Sequence, residues 1–338
     1  LATTVTIRDV AKHAGVGVGT VSRVLNESEA VRETTRSKVL SAIADLNYSP
    51  SPVARRLSGG KTMAVGIIVP FFTNASVVKR LQGVVSVLGG SEYDLVLFDV
   101  ESSENRDVLL TNIVQRKMVD ALLILSLRPH DGDMANFLEA KIPAVVVDAF
   151  HPALTSVMVD NVTGAMQAVR HLIDLGHRKI AFLSDFPDYA FNRSPVVDRL
   201  AGYRQALQEA DIPFRSDYYT VSALTKEDAR HQALQLLSLD DRPTAVFAYS
   251  DTQAIGVLEA ARDLGLRVPE DLSVVGYDDI EAAEYAQLTT IRQSLFESGV
   301  LGVELLLQVI DDRDREPQEI LLTTELVIRG STAAVSAA

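Results

Sequence analysis

Residues 6–26 read TIRDVAKHAGVGVGTVSRVLN and residues 35–60 read TRSKVLSAIADLNYSPSPVARRLSGG. Thr6 followed by Asp9 is a capping-box start, with Thr at the N-cap and an acid at N3. Ile7, Val10, Ala11 and Ala14 then recur at the spacing of one helix face. Gly15 ends that helix, as glycine does just past a C-terminus. The spacing predicts a second helix from about Val18 to Asn26, with Val21, Val24 and Leu25 inward. A third, from about Glu33 to Leu46, is expected to bury Val39, Leu40, Ile43 and Leu46. The second helix then leaves Val18, Gly19, Ser22 and Arg23 facing outward. A helix presented in this way fits the major groove of DNA, where an arginine can read guanine bidentately. The competing reading is a three-helix capping bundle with no role at DNA.

Charge separates this segment from the rest. The 338 residues carry a net charge of −13. Residues 1–62 hold nine Lys/Arg against five acids, or +4, which leaves 23 basic and 40 acidic residues, or −17, in the remainder. Attraction to phosphate is thus confined to the N-terminal segment, and the acidic body should repel DNA. With no cysteine, disulfides, thiolate metal sites and cysteine nucleophiles are excluded. There is no uninterrupted apolar run of membrane-spanning length and no signal-peptide pattern at the start. The expected compartment is a reducing cytoplasm.

The run Gly15-Val16-Gly17-Val18-Gly19 imitates a dinucleotide-binding fingerprint. That fingerprint needs a preceding strand and a glycine at position 20, which is Thr20. An oxidoreductase reading fails on both counts. Downstream, Ser49-Pro50-Ser51-Pro52 breaks the third helix. Ser51 can cap, and Pro52 suits a first helical position. Val53–Leu57 makes barely two turns, so that helix should be marginal unless it docks on something. A flexible linker is the alternative.

From Met63 short apolar strands alternate with helices. Strands are expected at 64–70, 95–98, 121–125 and 144–148, with helices near 76–89, 104–117 and 131–140. A second series places strands at 180–184, 218–221, 245–249 and 273–276, with helices near 162–175, 195–210, 226–237 and 252–264. Two such series predict two parallel sheets, each covered on both faces. A ligand would sit at the carboxyl ends of the strands, in the cleft between the halves. The residues there are Phe71, Phe72, Thr73, Ser126, Asp148, Asp160, Asn161, Ser250, Asp251, Asp278 and Asp279. Rings with short polar acceptors suit a sugar, and each Asp alone is as readily a helix N-cap. No catalytic set stands out. The six histidines are scattered, without HExxH spacing or a GxSxG elbow. His177 reads as a structural loop residue.

These motifs, together with VVGYDDI at 274–280, resemble the lac repressor/galactose repressor family of bacterial transcription regulators over nearly the whole chain. The resemblance implies an α/β protein. Its N-terminal three-helix helix-turn-helix domain (1–50) and hinge helix with linker (51–62) precede a periplasmic-binding-protein-like body of two doubly wound parallel-sheet subdomains (63–332). The N-subdomain is expected at about 63–161 and 293–321, the C-subdomain at about 162–292 and 322–332, and a tail at 333–338. It implies base reading by Val18 and Gly19, further DNA contact by Arg23, and a hinge helix that wedges Leu57 into a central base step. The full DNA-contact set is Thr6, Val18, Gly19, Thr20, Ser22, Arg23, Asn26, Tyr48, Ala54, Arg55 and Leu57, with Arg56 on phosphate. Many members have a phosphate-touching serine at the position of Gly17.

In the body the resemblance makes Arg199 and Asp278 effector contacts and adds Ser250, Asp148, Asp160 and Arg193. Val221 stands where some sugar-binding members have an aromatic, which Tyr189, Phe191 or Tyr285 would replace. The tail has no leucine heptads, so a homodimer on a palindromic operator is expected. The expected function is a non-enzymatic transcriptional repressor with no cofactor. A small polar effector, a sugar or sugar derivative, would control it. Its rivals are a sugar receptor without a DNA role and a regulator answering to a purine-like corepressor.

Overall fold

The computed structural model describes residues 5–25, 28, 30–48, 62–186 and 194–335, the side chains of 103 and 104 excepted. The expected contacts Asn26, Ala54, Arg55, Arg56, Leu57 and Arg193 lie outside the described residues, as do the hinge helix and Tyr189 and Phe191. The chain divides into two compact units, 1–64 with 117–120, and 65–116 with 121–338.

In the first unit, α1 (Ile7–Ala14), α2 (Val18–Leu25) and α3 (Glu33–Asp45) form a small bundle. Thr6 begins α1, its N–H and hydroxyl both donating to Asp9 Oδ2 at 2.8 and 2.7 Å. Those bonds hold the Asp9 carboxyl below its usual range. Gly15 ends α1 at φ 67°, left-handed geometry that other residues adopt at a cost, and Val16 N–H returns to Ala11 O. Val10, Ala11, Val21, Val24, Val39, Ala42 and Tyr48 form the core.

One expectation fails here. Leu40 points outward, 51% exposed, while Ala42 takes the buried place, because the α3 stripe runs through 39, 42, 43 and 46. Tyr48 packs its ring into the core, and burial pushes its phenol pKa up. Its ring is a structural part of the bundle.

The second unit holds two six-stranded sheets. The first contains β1 (Ala64–Pro70), β2 (Asp94–Val100), β3 (Ala121–Leu125), β4 (Ala144–Val147), β5 (Thr155–Val159) and β11 (Glu319–Leu322), in the order β11-β5-β4-β3-β1-β2. The second contains β6 (Ile180–Ser184), β7 (Tyr219–Val221), β8 (Ala245–Ala248), β9 (Ser273–Asp278), β10 (Thr289–Gln293) and β12 (Thr324–Val327), in the order β12-β10-β9-β8-β6-β7. Strands β1, β3 and β4 are buried throughout, as strands covered on both faces must be.

Helices α4 (Ala75–Leu88), α5 (Ser103–Gln115), α6 (Asp131–Ala140) and α12 (Leu295–Asp311) belong with the first sheet. Helices α7 (Asn161–Asp174), α8 (Ser194–Glu209), α9 (Lys226–Leu237), α10 (Asp251–Asp263) and the short α11 (Glu281–Tyr285) belong with the second. The doubly wound α/β expectation holds, with one departure: β12 pairs antiparallel with β10. Strands β5, β10, β11 and β12 and helix α12 extend the architecture beyond the two βα series. They arise because the chain passes between the sheets three times, after β5, after β10 and after β11. At the second crossing α4 and α12 touch backbone to backbone. A Cβ on Gly83 would stand 2.1 Å from Phe296 O, and one on Gly299 2.1 Å from Arg80 O.

Candidate functional site

On α2 the outward residues are Val18, Gly19 and Arg23, with Thr20 and Ser22 half-buried at their side. Val18 is 42% exposed. A Cβ added at Gly17 or Gly19 meets nothing within 4 Å, so packing does not require glycine at either place. Thr6 is exposed beside α1. This face offers one apolar side chain, one guanidinium and a bare backbone, which suits close approach to a polar surface.

In the second unit the strand ends converge on a cleft. It is lined from the first sheet by Phe71, Asn74, Arg80, Ser126 and Asp148, and from the second by Asp185, Arg199, Tyr249, Ser250, Asp278 and Gln293. Several of these residues hold left-handed backbones: Phe71 and Ser126 at φ 51°, Asp148 at 58° and Asp278 at 122°. Non-glycine residues pay strain for this geometry, and it gathers where strand ends must aim side chains at one place.

Arg199 rises from α8 and is 3% exposed. Its guanidinium lies over the Tyr277 ring at 3.6 Å and the Tyr249 ring at 4.2 Å from the centroids. Its Nε donates to Asn161 Oδ1 at 2.9 Å, and its Nη1 to the Tyr249 carbonyl at 2.5 Å. Burial pushes the phenols of Tyr249 and Tyr277 up. Asp278 accepts from Gln293 Nε2 at 2.5 Å through Oδ1. Burial raises its pKa to about 6, against the opposing pull of Arg199, Gln293 and Arg80. On the facing wall Asp148 Oδ2 accepts from Ser126 Oγ at 2.8 Å and pairs with Arg80 Nη1 at 3.2 Å.

Other expected residues go elsewhere. Asp251 is fully buried and does not line the cleft: Oδ1 accepts from Thr290 Oγ1 at 2.5 Å and Oδ2 from Ile280 N–H at 2.9 Å. Burial, with Asp278 near, raises its pKa well above the carboxylate range. It staples α10 to β10 and the loop after β9. Asp160 caps α7 by accepting from Thr163 N–H at 3.0 Å and borders a separate shallow pocket. Phe72 and Thr73 are exposed beside the cleft, the Phe72 N–H donating to Asp99 at 3.1 Å. Ser250 lines the cleft while capping α10, its Oγ accepting from Gln253 N–H at 3.2 Å. Asp279 is held by Arg292 and Arg329.

The wall beyond β7 is made by Leu224, not Val221, and Tyr285 is 80% exposed away from the cleft. Phe186 supplies the second ring at the cleft. Arg80, Asn74, Asp185, Tyr249 and Gln293 were not anticipated. The signal for Arg80 was available: it falls three residues after Val77 and four before Val84, on the apolar stripe of α4. His177 is structural, its ring bonded to Thr244, Ser273 and the Ala333 carbonyl.

Comparison with known proteins agrees with both units. Residues 6–51 match the model of bacterial regulatory proteins of the lacI family, and residues 169–332 match a periplasmic binding protein-like domain. The chain is 36% identical to the HTH-type transcriptional repressor PurR of Photobacterium profundum, over 96% of this chain and 98% of that protein. The structure of the lac repressor dimer bound to operator and the anti-inducer ONPF matches with TM-score 0.83 and 30% identity, over 98% of this chain and 100% of the other. A complex of the transcriptional regulator CelR with cellobiose matches with TM-score 0.72 and 31% identity, over 97% and 99%. The chain belongs to the lacI family of bacterial regulatory proteins: it is a DNA-binding transcriptional regulator with a ligand-binding body.

Proposed function

We propose that the protein is a cytoplasmic, homodimeric repressor whose affinity for a palindromic operator is set by a sugar or sugar derivative bound in the cleft. The observation that carries the effector reading is the state of Arg199 and Asp278. Among the described residues no hydrogen bond engages Arg199 Nη2 or Asp278 Oδ2. A cation with an open donor beside a carboxylate with an open acceptor matches a pair of neighbouring hydroxyls. Phe71 and Phe186 offer rings to the C–H face of the same ligand. Ser126, Asp148 and Ser250 border it, and a sugar needs no cofactor to be recognised. The cellobiose complex of a relative supports this class.

At the DNA end, Val18 would meet a base edge, Arg23 a guanine or phosphate, and Thr6, Thr20 and Ser22 the backbone. Self-association is supported by exposed Val78 and Val85 on α4, beside Leu95 and Leu97 on the edge strand β2. No helix among the described residues is long and apolar enough to cross a membrane.

A purine-like effector is the second reading, favoured by the two rings, which suit a flat heterocycle. A thermal-shift screen of monosaccharides, disaccharides and purines on the full chain separates the two. The hit is then titrated against an operator chosen by selection from random DNA, read by fluorescence anisotropy. A sugar hit that changes operator affinity supports the first reading, and a purine hit replaces it. Failure to select any DNA sequence would sink the repressor itself.

A further inference from the structure

We propose that Arg80 pins the hinge between the two subdomains, acting as the positioning residue through which the cleft carboxylates reach it. Arg80 is 2% exposed on the apolar stripe of α4. A guanidinium is tolerated there only if its donors are matched. Its Nε donates to Ser298 Oγ and its Nη2 to Gln293 Oε1, both at 3.2 Å. Gln293 ends β10 in the second sheet, and Ser298 lies in α12 beside the first. One planar head therefore braces both sides of the crossing at Ser294.

The same head reaches both walls of the cleft. Nη1 pairs with Asp148 and donates to Ser126 Oγ at 3.2 Å, at the ends of first-sheet strands. Gln293 passes the connection on by donating to Asp278, at the end of a second-sheet strand. The backbone has no slack to absorb a change, because Gly299 packs directly on the carbonyl of Arg80. A ligand that engages Asp148 or Asp278 must alter how Arg80 and Gln293 share their bonds, and with that the crossing. This goes beyond the effector assignment and holds whichever ligand the cleft takes.

The chain has no cysteine, so paired spin labels can be placed cleanly. Glu139→Cys on α6 and Gln208→Cys on α8 are exposed positions in the two subdomains. The labelled full chain, diluted into excess unlabelled chain, reports the distance within one molecule by double electron–electron resonance. A single narrow distribution is expected for the parent, broadened and shifted by Arg80→Met and by Gln293→Leu. An unchanged distribution in both overturns the proposal. So does a change in Arg80→Met alone, which would locate the effect in the lost Arg80–Asp148 pair and not in the crossing. Should Arg80→Met fail to fold by circular dichroism, Gln293→Leu decides, since it leaves the Arg80–Asp148 pair in place.

Discussion

Arg80 and Arg199 face one cleft from opposite subdomains, and both are almost completely buried. Their surroundings differ in kind. Arg80 is held by a carboxylate, two hydroxyls and an amide oxygen. Arg199 is clamped between two aromatic faces, with one amide and one carbonyl as acceptors. The first arrangement neutralises the cation and ties several elements together. The second orients the cation and leaves part of its donor capacity turned to the cleft. Burial of a guanidinium thus does not by itself mark a ligand contact; what its remaining N–H groups face does.

The largest expected effect tests the structural side of this contrast. Arg80→Met removes a buried cation together with its ion pair to Asp148 and its three hydrogen bonds, and should cost about 3–5 kcal/mol of folding stability in urea melts. Arg199→Met should cost clearly less, because among the described residues no salt bridge to Arg199 is broken. Equal losses would break the contrast. The next effect is in pH. Asp278 titrates at about 6 in the folded protein against a usual 3.8, so between those values the folded state holds the extra proton. Stability contributed by this group therefore falls as pH rises through that window, by about 3 kcal/mol in all. Asp278→Asn should remove that slope, seen as the difference between wild-type and variant melts at about pH 4 and about pH 7. Parallel curves would mean that Asp278 is not the titrating group.

On the ligand side, Arg199→Met should weaken the effector found in the screen by roughly tenfold to a hundredfold, the worth of a charged hydrogen bond, and leave operator affinity alone. Calorimetry and anisotropy on the same samples give both numbers. A variant that binds effector normally would move the site away from Arg199. The smallest effect belongs to Ser298→Ala, which removes one of the four partners of Arg80 and should cost about 1 kcal/mol.

Much of this was legible in the residues. Thr6, Asp9 and Gly15 mark the ends of α1, and wholly apolar runs mark β1, β3 and β4. Polar residues after apolar strands, among them Ser126, Asp148, Ser250 and Asp278, do border the cleft. Position after a strand does not say which way a side chain turns: Asp160 turns away to cap its own helix, and Asp251 to tie its helix to β10 and the loop after β9. Arg199 carried no local signal in its helix and came from family resemblance. Gln293 enters the cleft because the chain recrosses between sheets, a long-range event with no periodic trace. Leu40 was misplaced because a bundle this small leaves one narrow stripe per helix, where a shift of one residue exchanges inside for outside.

The open space around Gly17 and Gly19 has a consequence for descent. Neither position is held by its neighbours, so a lineage can rewrite the face proposed to meet DNA by single substitutions without disturbing the bundle beneath. Ancestral duplicates of such a regulator could drift to new target sites while keeping the same scaffold and the same response to its effector.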